Sequence, residues 1–473
     1  MGVATGTQKG QVGLERRIGP WQATAINMTQ MCGIGPFLTI PLMVAAMNGP
    51  QAMFGWVIGA IIVLADGLIW AELGAAMPGA GGTYIYLREA FQYRTGRLMP
   101  FLFVWTAVLF IPLIMSTGVI GLVQYLGVLW PAVVDDTGAV NTLGHVVGVV
   151  ITGLVVVLLY RKIGDITKVT TAFFGVMLVS ILAVIIAAYS HFSASLAFDF
   201  TPGAFGSGGA FWTGLGAGLI IAVYDYLGYN TSAYLGGEVR EPGKTLPRSI
   251  ILSIVGIMAL YLLLQIGILG SVPWQDVAKS SSIATLAVST AWGSGIANVV
   301  TALIVVTAFA SVFAGLLGGS RVPYEAARDK LFLPVFAKLH PKGHFPTAGL
   351  LVMGVITAIA SLFPLGVVIN ALTAVIVLVQ SVAQIAALVV LRRRQPGLVR
   401  PYKMWLFPVP LIIAFVGWAF LYYSTDALSQ ILSVSWVVIG VVAFLIFARA
   451  EQVWPFGPKE IKEEYLTTST SDA

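Results

Sequence analysis

Met31-Cys32-Gly33-Ile34-Gly35-Pro36-Phe37, "MCGIGPF" (31–37), lies in the middle of a long apolar run. Two glycines and a proline are poor material for a helix interior. Pro36 has no N–H to donate and suits the first turn of a new helix. The stretch predicts two half-helices, one ending near Cys32 and one starting near Gly35. In hydrocarbon such an interruption is tolerated only where protein or a water-lined cavity satisfies the freed backbone groups. The N-terminus of the second half then offers free N–H groups and the positive end of a helix dipole, a ready anion site. On this segment alone, a kink that merely serves packing is the alternative.

The surroundings decide that this is a membrane problem. Of 473 residues, 58% are hydrophobic and 10% charged, against about 25% charged in ordinary soluble domains. No soluble surface-to-volume ratio hides that much apolar area. About twelve runs approach the 20 or so apolar residues needed to cross a bilayer: 20–47, 51–76, 99–130, 143–160, 166–189, 211–236, 249–270, 294–319, 347–363, 366–391, 405–423 and 430–448. Placing Lys and Arg in the segments between them puts 25 of 26 on one side, with Lys279 alone on the other. By the positive-inside rule this predicts an even number of spans, a cytoplasmic membrane location and both termini in the cytoplasm. The net charge of +6 is scattered singly between apolar runs, which fits a membrane's inner face and not nucleic acid. No cleaved signal peptide is read. Cys32 is the single cysteine, so an intrachain disulfide is impossible. The outer segments 131–142, 190–210 and 271–290 read as surface loops, and the tail 451–473 reads as a disordered cytoplasmic segment.

Segment six repeats the interruption with Tyr224-Asp225-Tyr226-Leu227-Gly228-Tyr229-Asn230, "YDYLGYN" (224–230). Interrupted helices at corresponding places in two halves are the sequence pointer to a transporter site at the midplane. An ionisable residue at that depth is costly and marks function by default. Asp225 between two tyrosines suits a cation, through ring faces and direct pairing. It could instead carry a coupling proton, or cap half-helix N–H groups and stabilise the break. Asp66, in segment two, is a second proton-carrier candidate, with a hydrogen bond inside the bundle as the favoured alternative. Glu72 and Glu238 are expected to pair with Arg88, Arg240 or Arg321. Gln124, Gln265, Gln380 and Gln384 suit interhelical hydrogen bonds. The four histidines lack metal-ligand spacing, and neither a metal site nor a cofactor is expected.

Three cytoplasmic stretches carry a resemblance. "AELGAAMPGAGGTYIYLREAF" (71–91) closely resembles the loop after helix two in the amino acid–polyamine–organocation superfamily. "GGEVREPGKTLPRSI" (236–250) and "GSRVPYEAARDKLFLPVFAKLHPKGHFPTAG" (319–349) look like that family's segments after helices six and eight, and "CGIGPFLTIP" (32–41) is similar to its helix-one break. The resemblance implies an all-α integral membrane protein of LeuT type, with a 5+5 inverted-repeat core over 18–391 after a short cytoplasmic segment, 1–17, and two additional helices over 392–450. It implies a secondary transporter of amino acids or related amines working by alternating access, partnered by a small-molecule substrate, the lipid bilayer and, in proton-coupled members, H+. In the family, main-chain N–H groups at the helix-one break hold the substrate carboxylate, which maps onto Gly33, Ile34 and Gly35. Carbonyls at the two breaks hold the amino group, near Thr29, Met31, Tyr224 and Leu227. The gating aromatic maps onto Tyr224, and a polar residue after the second break onto Asn230. Cys32 beside the break is a lining candidate, with a packing thiol as the alternative; Tyr226 flanks the acid. Many proton-coupled members carry a lysine in mid-helix five, where sodium-coupled relatives keep a cation; here Met177 or a neighbour takes that position, which leaves proton coupling and exchange both open. The place of Asp225 is usually small or neutral in the family, so the acid tilts the expectation towards cationic substrates, a polyamine transporter being the alternative. A membrane enzyme would need a nucleophile–base pair or a metal cluster, and the sequence carries no G-x-S-x-G, H-E-x-x-H or Walker A signature. A channel is separated from a transporter by the absence of saturation and counterflow.

Overall fold

The structure is a computed structural model and describes residues 16, 18–79, 82–160, 166–340, 345–452 and 454–456. Most of the N-terminal segment and tail read from the sequence lie outside these residues, as do Arg161, Lys162 and Lys342.

Pro20 opens the first helix, where its missing N–H has no intrahelical acceptor to lose. α1 runs Pro20–Met31 and leaves helical geometry at Cys32 (φ −100°, ψ 61°). α2, Gly35–Met47, restarts at Gly35 and Pro36, bent 53° from α1. After a 3-10 turn come α3 (Met53–Ala76), α4 (Thr83–Thr95), α5 (Leu98–Leu129), α6 (Thr142–Leu159) and α7 (Ile166–Ser190). The short α8 (Ala194–Ala197) precedes α9 (Ala210–Tyr226), which breaks before α10 (Thr231–Tyr234). α11 (Pro242–Ser271), α12 (Trp274–Lys279), α13 (Ile283–Trp292), α14 (Ser294–Gly319) and α15 (Arg321–Arg328) follow. The last are α16 (Thr347–Ala360), α17 (Leu365–Ile376), α18 (Val382–Arg394), α19 (Val409–Ser424) and α20 (Ala427–Ala450), with a π-helical turn Val377–Ser381 joining α17 to α18.

Among the described residues, seven helical runs are long and apolar enough to cross a membrane, and the bent pair α1–α2 makes an eighth. The other four expected spans fall on α7, on α9 followed by α10, and on the shorter apolar helices α16 and α19. Val146, Val150, Leu154 and Val157 on α6, and Leu432, Val438, Val442 and Ile446 on α20, point outward and exposed. Rows of this kind are expected where lipid is the solvent.

The spans sort into two packing groups. α1, α2, α3, α9 and α11 pack on one another, and α5, α6, α14 and α16 form a second set, with α7 touching α11 and α14. α19 lies on α3 and α20 on α5 and α17. Both broken helices sit in the first group. The chain before α1 is tied to the segment after α10: the N–H of Ile18 donates to Glu238 O (3.0 Å) and that of Arg240 to Ile18 O (2.8 Å).

Two connecting segments are more ordered than composition suggests. The stretch after helix two holds α4. The outer segment 271–290, expected as a surface loop, carries α12 and enters α13, and Ile283, Ala284, Ala287 and Val288 of α13 are fully buried. The Ser and Thr residues that resemble loop material occupy the polar positions of a helix whose apolar face packs against α14, α7 and α2. The N–H of Ala284 donates to the Tyr125 hydroxyl (3.3 Å), which donates to Phe37 O on α2 (3.2 Å).

Candidate functional site

The two breaks lie against each other. At the first, the N–H of Cys32 closes α1 on Met28 O (2.8 Å), and that of Phe37 turns back to Ile34 O (3.1 Å). Among the described residues, no acceptor takes a hydrogen bond from the N–H of Gly33, Ile34 or Gly35. Three free donors thus stand together at the start of α2, where the helix dipole is positive. At the second break, Leu227 is extended (φ −61°, ψ 131°) and Gly228 has φ +116°, a conformation that needs glycine. Gln30 of α1 fills the space beside it: a Cβ on Gly228 would stand 2.7 Å from Gln30 Cγ.

Residues outside the expected set hold the breaks together. The Tyr261 hydroxyl of α11 lies 2.8 Å from Met31 O and 3.1 Å from Asp225 O, carbonyls at the C-terminal ends of the two leading half-helices. Asn27 of α1 accepts from the N–H of Ser232 (2.7 Å) and so caps α10, a task its own N-cap residue, Asn230, leaves undone. Asn230 is buried at that turn. Each of these contacts joins residues far apart in the chain, and no local window marks them. Tyr261→Phe leaves both carbonyls without a donor in the interior, at a cost of about 1–3 kcal/mol; thermal unfolding in detergent without substrate is expected to drop accordingly, and an unchanged midpoint would show that the hydroxyl contributes nothing to closure of the breaks.

Asp225 is 3% exposed. Its Oδ2 is hydrogen-bonded to Thr39 Oγ1 on α2, and Oδ1 meets no donor. The carboxylate lies on Gly35, where an added Cβ would overlap Oδ1. Tyr224 and Tyr226 do not clasp a cation with it, because their hydroxyls are committed to different helices. Tyr224 pairs with Thr117 of α5 at 2.5 Å, and Tyr226 donates to Trp56 O of α3 at 3.0 Å. Asp66 takes the bonded role favoured from sequence: it accepts from Tyr229 (2.5 Å) and Trp418 (3.2 Å). The Glu72 pairing differs from expectation. Its partners are Arg392 and Arg400, while Arg88 pairs with its neighbour Glu89; α18 brings Arg392, in its last turn, to the end of α3, an approach no spacing in the sequence encodes.

A small cavity opens beside the first break, lined by Thr29, Gly33, Phe173, Met177, Ser311 and Phe313, among others. Met177 of α7 presents an apolar side chain to the same cavity as Gly33. Ser311 of α14 was not expected; it faces Gly33 so closely that a Cβ there would stand 3.0 Å from its Oγ. Asp225, Tyr226 and Asn230 do not line this cavity. Cys32 is a buried free thiol, Ile34 packs towards Gly121 of α5, and Leu227 is half-buried. Among the described residues no cluster suited to a metal ion is found.

The sequence profile of a family described as amino acid permease matches residues 18–455. The chain is similar to the branched-chain amino acid permease BcaP of Bacillus subtilis, 25% identical over 458 residues that cover 93% of this chain and 94% of the relative. It is 26% identical to the serine/threonine exchanger SteT of Bacillus subtilis over 426 residues, 87% of this chain and 92% of the relative. It is 28% identical to Asc-type amino acid transporter 1 of Mus musculus over 424 residues, 87% of this chain and 76% of the relative.

Proposed function

The chain belongs to the amino acid permease family, and from that premise we propose that it carries neutral amino acids across the cytoplasmic membrane by alternating access, with both termini in the cytoplasm. The observation that carries the reading is the trio of free N–H groups at Gly33, Ile34 and Gly35. They suit a substrate carboxylate, through direct donation and the dipole of α2. Met31 O and Asp225 O, at the negative ends of α1 and α9, suit its ammonium group. Thr29 and Leu227 flank that pair, and Tyr224, held to Thr117 of α5, is the gate. The lean towards cationic substrates rested on Asp225 facing the ligand. Its side chain turns instead to Thr39 and Gly35, while Phe173, Met177 and Phe313 beside the break suit an uncharged side chain. The relatives named for branched-chain amino acids and for serine and threonine support the same class. The two packing groups provide a bundle, containing both breaks, that rocks against the α5–α6–α14–α16 set. Residues 18–391 form the 5+5 core, and α19 and α20 are additions to it.

The test is uptake by proteoliposomes holding the full chain, with L-leucine, L-valine, L-serine and L-threonine as probes. We expect saturable uptake and counterflow, with competition by other neutral α-amino acids and none by isobutylamine or spermidine, which lack the carboxylate. Competition by the amines equal to that by the amino acids would overturn the reading; flux that does not saturate would assign a channel.

A further inference from the structure

We propose that Asp225 is the protonation site that couples amino acid movement to protons, with Thr39 relaying its state to the start of α2. The proposal rests on the transport reading above and deepens it.

The argument begins with one hydrogen. A threonine hydroxyl has a single proton to donate and lone pairs to accept. Thr39 Oγ1 lies 3.0 Å from Gly35 O, one turn back on its own helix, and it also bonds Asp225 Oδ2. If the Thr39 proton goes to Gly35 O, the proton in the second bond must come from Asp225. The chain Asp225 O–H to Thr39 O–H to Gly35 O satisfies every member, and it exists only while Asp225 is protonated. An ionised Asp225 takes the Thr39 proton for itself and leaves Gly35 O without that donor.

The surroundings favour the protonated arrangement. Oδ1 is buried with no donor, and an ionised carboxylate without donors or a cation is poorly tolerated in the interior. The ionisable groups nearest it are Cys32 at the end of α1, Tyr224 and Tyr226 on its own helix, and Tyr261 of α11, all neutral acids. Of the other elements on α9, α3 brings Asp66, bonded to Tyr229 and Trp418, and Glu72, bonded to Arg392; α19 brings Tyr422 and Tyr423, and α17 brings none. Against α2, α5 brings Tyr125, bonded to Phe37 O, and α12 brings Asp276 and Lys279, both exposed. Among the described residues no cation is paired with Asp225.

The coupling follows from position. Gly35 bears the last of the three free N–H groups, and the Asp225 carboxyl lies on the same residue. A negative charge there competes with the substrate carboxylate for the positive end of α2. Substrate and proton therefore favour each other's binding, and the linkage is reciprocal. Loaded, the site carries the amino acid and a neutral Asp225 together; on the far side the proton leaves to water with the substrate.

The experiment uses the full chain and the four amino acid probes above, with wild type beside Asp225→Asn, whose amide can donate to Thr39 as the protonated acid does. Affinity is read by thermal shift from pH 5 to 9, and proton movement by a pH-sensitive dye sealed in the proteoliposomes. For wild type we expect affinity to fall with rising pH, by up to about tenfold per unit above the titration point, and uptake to acidify the lumen. For Asp225→Asn we expect an affinity that no longer varies with pH and a smaller dye response per amino acid taken up. A wild type whose affinity ignores pH, or a variant whose dye response per amino acid taken up equals that of wild type, overturns the proposal. If Asp225→Asn fails to fold, Thr39→Val takes its place; a titration point that shifts supports the relay, and one that does not overturns it. A wild type that neither binds nor moves any of the four probes overturns the transport reading instead.

Discussion

Glu72→Ala is expected to remove about 3–5 kcal/mol of stability, the loss that follows when one partner of a buried ion pair is deleted. The Glu72 side chain is fully buried near the C-terminal end of α3. It accepts from Arg392 Nε (2.8 Å) and Nη2 (2.5 Å) and from the main-chain N–H of Met404 (2.8 Å). Arg400 Nε lies 3.5 Å away and is itself 6% exposed. Arg392 is further fixed over the Phe407 ring at 4.1 Å. Deleting the carboxylate takes the acceptor from the Arg392 guanidinium and a peptide N–H, and the counter-charge from Arg400, whose Nη atoms stay on the carbonyls of Leu391, Gln395 and Leu398. The cluster joins α3, α18 and the segment before α19, so its loss also loosens the link between the packing group that holds both breaks and the helices outside it. The comparison is Glu241→Ala, whose pairing with Lys244 is 72% exposed on both sides and is worth about 1 kcal/mol or less. Thermal unfolding in detergent decides: equal shifts for the two variants would mean that the buried cluster stabilises nothing. Glu72→Gln, which keeps an acceptor for Met404, should fall between them.

Gly228→Ala is expected to reduce transport more than any change to a neighbouring side chain at the second break. A side chain at φ +116° costs about 1–3 kcal/mol in backbone strain alone, roughly a 5- to 150-fold change in any equilibrium that depends on it. The new Cβ would also stand 2.9 Å from Gln30 Cβ and 3.1 Å from the Gln30 carbonyl carbon, pressing the two breaks apart. The two contributions separate in Gln30→Ala/Gly228→Ala. Shortening Gln30 relieves the contact with its Cγ but not the strain, so uptake should recover only in part. Full recovery would assign the effect to crowding, and an active single variant would show that this turn does not need glycine.

The sequence was most informative where chemistry is local. Gly33, Gly35 and Pro36 announce the first break, Gly228 the second, and both occur within a residue or two of their expected places. Contacts between distant segments were not legible. Tyr261, Asn27 and Thr39 look like ordinary polar residues on apolar helices until folding brings them to the breaks from up to 230 residues away. Asp225 was conspicuous, but its direction was not. A carboxylate between two tyrosines suggests a cation; packing sent each tyrosine to a different helix and left the acid facing Thr39. α13 was missed because a helix with one buried face and several Ser and Thr residues has the composition of a loop.

The single phenol of Tyr261 stands before two carbonyls, Met31 O and Asp225 O, and has one hydrogen to give. An empty carrier is therefore frustrated: whichever chain end the phenol serves, the other goes short. An ammonium group has three hydrogens and ends the contest, answering one carbonyl or both. Cargo thus relieves a shortage that the protein cannot relieve alone. On the transport reading proposed above, the loaded state is the satisfied one, and swapping one passenger for another would bypass the shortage that a return trip with none must meet.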